Sequence, residues 1–149
     1  MMTEQLATPP PEGDDKPREN AAMLTPEELS ERQEATADIV GFADMFLADG
    51  IYDSKCNLRM WRYQNAKLGR WQIMHVVETD HYMIERYSRT GKLQAYCIDG
   101  NRLDLWGIEK DKDFKQSPAF VSTQRIKEVR GLFRNIQKDL SEEETEQYS

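Results

Sequence analysis

Residues 57–109 read NLRMWRYQNAKLGRWQIMHVVETDHYMIERYSRTGKLQAYCIDGNRLDLWGIE, and this stretch decides the fold. β-Branched and aromatic residues dominate it, and turn signals recur at roughly eight- to twelve-residue intervals, the pattern of short strands joined by tight connections. Strands are expected near 57–64, 70–78, 81–88, 92–98 and 102–109. Asp99-Gly100 is a hairpin signal, because a type I′ turn needs two residues that tolerate positive φ. Ser88-Arg89-Thr90-Gly91 reads as a longer turn, and Thr79-Asp80 as a turn without glycine. Parallel strands need long crossovers, so connections this short predict an antiparallel meander.

Two-residue turns would make Val77 face Tyr82 and His75 face Ile84, and would pair Tyr96 with Leu103 and Leu93 with Trp106. The last two pairs fall on opposite faces and both are apolar. Each face of that hairpin is therefore expected to be covered in part, by helices or by a second copy of the chain. A homodimer is one expectation.

Helices flank the meander. Thr25-Pro26-Glu27-Glu28 combines an N-cap, a proline suited to the first helical turn and a capping-box glutamate. The helix should run to about Ala48 and end at Asp49-Gly50. Leu29, Ile39, Val40, Phe42, Ala43, Phe46 and Leu47 mark its buried face, while the first half is acidic and solvated. After a polar connection over 110–121, Ser122 reads as the N-cap of a second helix, with Val121 and Ile126 placed as a hydrophobic staple. Ile126, Val129, Leu132, Phe133, Ile136 and Leu140 recur at three- and four-residue steps, so one face packs on the sheet. The fold class is α+β: an antiparallel meander of four to five strands with one helix before it and one after it, forming a single domain over 24–140. Residues 1–23 are acidic and Pro-rich and are expected to be disordered. Residues 141–149 form an acidic tail expected to fray.

Charge is laid out unevenly. The net charge of −7 resolves into −10 over residues 1–54, +7 over 55–134 and −4 over 135–149. An acidic head and tail flank a basic middle, which points to a charged partner or to self-shielding. No apolar run is long enough to span a membrane. The start of the chain has neither the basic residues nor the apolar run of a secretory signal. Two cysteines, Cys56 and Cys97, are too few for a disulfide framework and fit a reducing, cytoplasmic setting.

The first candidate site lies in the basic middle. Period-two alternation puts Arg59, Trp61 and Tyr63 on one side of the first strand, and Leu58, Met60 and Arg62 on the other. Arg70, Trp71, Arg86, Arg89, Lys92 and Arg102 follow. Rings beside guanidinium groups can stack bases and neutralise phosphates, although no RNP-type motif is present. The plain alternative makes Trp61, Tyr63 and Trp71 core residues with arginine stems lying across them. The binding residues expected are Arg59, Trp61, Arg62, Tyr63, Arg70, Trp71, Arg86, Arg89 and Lys92.

Other chemistry has less support. His75 and His81, with Glu78, Arg86 and Tyr87, resemble the acid–base sets of small metal-independent ribonucleases. With a two-residue turn at Thr79-Asp80, however, the two histidines fall on opposite faces and cannot share a substrate. Cys56, His75, His81 and Cys97 lack the close ligand pairs of a zinc site. Glycine-rich phosphate loops, GxSxG elbows and HExxH sequences are missing. No catalytic residue, metal or cofactor is therefore expected. Clustered glutamates at 27, 28, 31 and 34, and at 142, 143, 144 and 146, would meet a basic groove on a partner or simply solubilise the ends. The leading expectation is a non-enzymatic accessory or regulatory protein that contacts another protein. Binding of nucleic acid or nucleotide through the sheet comes next, and a small ribonuclease third.

Overall fold

The structure, a computed structural model, describes residues 24–88, 90–110 and 113–148. The expected disorder of residues 1–23 lies outside the described residues.

Helix α1 spans Pro26–Ala48. The Thr25 hydroxyl accepts from the Glu28 amide at 3.0 Å, and the Glu28 carboxylate accepts from the Thr25 amide at 3.1 Å, so the capping box forms as the sequence predicts. Seven strands follow: β1 (Ile51–Asp53), β2 (Leu58–Asn65), β3 (Gly69–Val76), β4 (His81–Tyr87), β5 (Leu93–Asp99), β6 (Asp104–Lys110) and β7 (Gln116–Ala119). They lie in sequence order in one sheet, each antiparallel to its neighbours. Helix α2 covers Thr123–Tyr148.

The α+β meander with one helix before it and one after it stands, but the strand number is seven, not four to five. The two added strands are the edges. β1 is three residues long and exposed throughout, so it shows no inside–outside alternation. β7 contains Pro118 within a segment that reads as a polar loop. Proline cannot donate to a ladder, which confines it to an edge strand such as this.

Two turns are also wider than expected. Val76 pairs with His81 and His75 with Tyr82, so residues 77–80 form the turn. Asp99 pairs with Asp104 and Tyr96 with Gly107, leaving residues 100–103 as the next one. Asp80 and Leu103 adopt positive φ, 57° and 56°. The Gly100 amide donates to the Asp80 carbonyl at 2.9 Å, so the two turns brace each other.

The core lies on one side of the sheet. Trp71, Ile73, Tyr82, Ile84, Tyr96, Ile98 and Leu105 are buried there against Ile39, Ala43 and Phe46 of α1 and Ile126, Val129, Phe133 and Ile136 of α2. Phe133 sits edge-on to Trp71, with ring centroids 5.3 Å apart. Every fully buried strand side chain points to this side, which leaves the opposite face without a helix. Among the described residues no helix is long and apolar enough to cross a membrane.

Candidate functional site

The strand registers divide the expected binding residues between the two faces. Arg59, Trp61, Tyr63, Trp71 and Arg86 lie on the helix side, because Arg59 pairs with His75, Trp61 with Ile73, Tyr63 with Trp71, and Trp71 with Arg86. Arg62 and Arg70 point the other way. Lys92 is exposed in the β4–β5 turn, and Arg89 lies outside the described residues. One shared surface of rings and cations therefore does not form from this set.

On the helix side the rings are packed. Trp71 is only 2% exposed, and its indole donates to the Leu68 carbonyl at 2.8 Å. Trp61 stacks between Phe46 at 4.6 Å and Tyr63 at 5.6 Å. The Tyr63 hydroxyl donates to Asp139 of α2. Arg86 lies over the Trp71 ring at 5.3 Å and donates to Leu68 O and Gln94 Oε1. Burial and then the nearby charge of Arg125 push the Arg86 guanidinium down from its usual value. Arg86 thus lies across a core ring with its polar atoms engaged.

His75 and His81 occupy opposite faces, as expected, although through a different register. His75 is 5% exposed and stacks on Tyr82 at 4.1 Å. Both of its ring nitrogens are engaged, Nδ1 by Arg59 at 3.1 Å and Nε2 by Asp80 at 2.7 Å. Arg59 also pairs with Asp44, which accepts from the Tyr82 hydroxyl at 2.7 Å. A proton acceptor on this ring would first have to give up Arg59 or Asp80. Burial and then Asp99 push the Cys97 thiol up, away from the thiolate that a nucleophile requires. Among the described residues no cluster of metal-ligating side chains occurs.

What remains is the face without helices. Ile51, Met60, Met74, Met83, Cys97 and Trp106 pair successively from β1 to β6 and form one apolar row across it. None of the six is fully buried. A second row toward one end runs Asp53, Leu58, Val76, His81, Asp99 and Asp104. The opposite end carries Arg62, Arg70 and Lys110, with Tyr87 and Leu93 as rim residues 39% and 38% exposed. Arg70 lies over the Tyr87 ring at 4.7 Å. A shallow depression of about 420 Å³ opens between Arg62, Arg70, Gln72, Glu85 and Tyr87. A second one, about 340 Å³, lies between His81, Cys97, Asp99, Arg102, Asp104 and Trp106, with Arg102 3.8 Å from the Asp99 carboxylate.

The sequence reading passed over this row. Its signal is the even-numbered positions of β2 and β3 (Met60, Met74) aligned with the odd-numbered positions of β4 and β5 (Met83, Cys97), which becomes visible only once the register is fixed. Compared with known protein families, with curated proteins and with solved structures, the chain shows no significant match.

Proposed function

We propose that this protein acts by binding and not by catalysis, as an accessory or regulatory protein that docks another protein on the helix-free face of its sheet. The observation that carries this reading is the methionine-rich row of Met60, Met74, Met83, Cys97 and Trp106 on a face that no helix covers. Methionine is unbranched and polarizable, so such a surface adapts to a partner's shape. Contiguous apolar surface rimmed by charge is characteristic of protein-binding sites. The engaged nitrogens of His75 and the raised Cys97 thiol support a non-catalytic role. The mixed charge of the face favours protein over nucleic acid, since a phosphate-binding surface needs a concentration of cations.

The test is capture from nuclease-treated lysate by the wild-type chain and by Met74→Glu. Proteins retained by the wild type should be lost with the variant, whose far-UV circular dichroism should match wild type. Equal capture by both, or loss of all bound protein on nuclease treatment, would contradict the reading.

A further inference from the structure

Arg86 and Arg125 hold neighbouring positions on the helix side of the sheet. Arg86 of β4 donates to the Gln94 side-chain oxygen at 3.1 Å, and Arg125 of α2 donates to the Tyr96 hydroxyl at 3.2 Å. Gln94 and Tyr96 stand two residues apart on β5 and point to the same side, so their Cα atoms are about 7 Å apart. One strand thus carries two guanidiniums over adjacent sites.

The charge of Arg86 is not neutralised. Both of its acceptors, the Leu68 carbonyl and the Gln94 amide, are uncharged. Among the described residues no carboxylate forms an ion pair with it. Glu85, its neighbour in sequence, points to the helix-free face. Burial, and then the charge of Arg125, hold the Arg86 guanidinium below its ordinary value. Arg125 has one carboxylate, Glu128 at 3.2 Å, whose side chain is 52% exposed. Two cations therefore face one half-exposed anion, whereas a charge withdrawn from water ordinarily sits against an opposite one.

A groove of about 570 Å³ opens beside the pair. Leu93, Ile108 and Phe120 give it apolar walls, and Gln94, Tyr96 and Arg125 form a polar corner that Arg86 reaches through Gln94. Apolar walls with a few convergent polar groups are the usual form of a small-molecule site.

We propose that this corner binds a phosphomonoester, with the phosphoryl group between Arg86 and Arg125 and the organic part along the groove. A phosphoryl group carries nearly two negative charges and three acceptor oxygens. It can accept from both guanidiniums and from the Tyr96 hydroxyl, which takes a bond from Arg125 and keeps its own hydrogen to donate. A carboxylate offers only two oxygens and one charge. Arginine forks match phosphoryl oxygens in geometry as well as in charge. The site lies on the helix side, so its failure would leave docking on the opposite face untouched.

Nitrogen–proton NMR of the arginine side chains in the full-length chain, at constant ionic strength, tests it. Inorganic phosphate should shift the Nε–Hε signals of Arg86 and Arg125 saturably and leave those of Arg62 and Arg70, on the other face, in place. Phenyl phosphate adds a ring for the groove and should bind several-fold more tightly than inorganic phosphate. Acetate should bind several-fold more weakly. Arg125→Gln should weaken phenyl phosphate binding roughly ten-fold. Glu128→Gln removes the competing carboxylate and should strengthen it several-fold, a gain that a purely structural arginine pair would not give. The site is overturned if Arg86 and Arg125 show no saturable shift, if Arg62 and Arg70 shift equally, or if either variant binds as wild type does. Acetate binding as tightly as phosphate would overturn the phosphoryl assignment. Phenyl phosphate binding no better than inorganic phosphate would overturn the role of the groove.

Discussion

Arg59 reaches Nδ1 of His75 at 3.1 Å, and this contact fixes the tautomer of a buried ring. A guanidinium has only donors, so Nδ1 accepts and the proton of the neutral ring sits on Nε2, where it is donated to Asp80 at 2.7 Å. Long-range nitrogen NMR of the neutral ring should show Nε2 protonated and Nδ1 bare. RNA incubated with the pure protein should remain intact. An Nδ1–H tautomer, or cleaved RNA, contradicts the structural role given to His75.

Arg32 joins α1 to β6 and to the chain just after β7. It is 4% exposed and donates to the Leu105 carbonyl at 3.1 Å and to the Val121 carbonyl, with its guanidinium 4.7 Å from the Phe120 ring centre. Burial lowers its pKa, partly offset by the charge of Asp104. Arg32→Met keeps the stem but orphans two buried carbonyls, at about 1–3 kcal/mol for each unsatisfied group. Urea unfolding should therefore show a loss on the order of 3 kcal/mol. A midpoint within error of wild type would show that the carbonyls find other partners.

Tyr82 gives the protein an alkaline limit. Burial, then its hydrogen bond to Asp44, raises the phenol well above its ordinary range. The folded-state pKa exceeds the unfolded one, so this contribution is complete below about pH 10 and is lost as pH rises beyond it. Stability measured by denaturant should fall steeply above that pH in the wild type and less steeply in Tyr82→Phe. Parallel curves for the two proteins would remove Tyr82 as the cause.

Two glycines should respond oppositely to alanine. Gly69 has φ +87°, and a Cβ there would lie 2.3 Å from the Tyr87 carbonyl oxygen. Gly131 lies within α2 with open space where its Cβ would be. Gly131→Ala should stabilise by about 0.5–1 kcal/mol. Gly69→Ala should destabilise by more than about 1 kcal/mol, since both backbone strain and a backbone clash oppose it. Thermal melts of the two proteins decide the point.

Much of the fold was legible because its signals are local. Thr25 and Glu28 announce α1 through hydrogen bonds three residues apart, and the step pattern from Ile126 to Ile136 announces the buried face of α2. The edge strands were not legible. Residues 51–53 carry no alternation, and Pro118 reads as loop until its neighbour β6 is in place. The site was harder still. Period-two alternation correctly split Arg59, Trp61 and Tyr63 from Met60 and Arg62, but which side the helices take is a tertiary outcome. Phe46 and Phe133 settle it by packing on Trp61 and Trp71. The turns at 77–80 and 100–103 depend on Asp80 and Leu103 accepting positive φ, and Leu103 carries no sequence signal for that. Without those turns the methionine row cannot be aligned.

Site-specific photo-cross-linking from position 83 tests the central claim most directly. Met83 lies mid-row on the helix-free face, and Met45 supplies a comparison position exposed on α1. With a photoreactive residue in place of each in turn, irradiation of cells should give a discrete protein adduct from position 83 and none from position 45. A discrete adduct from position 45 with none from position 83 would contradict docking on this face.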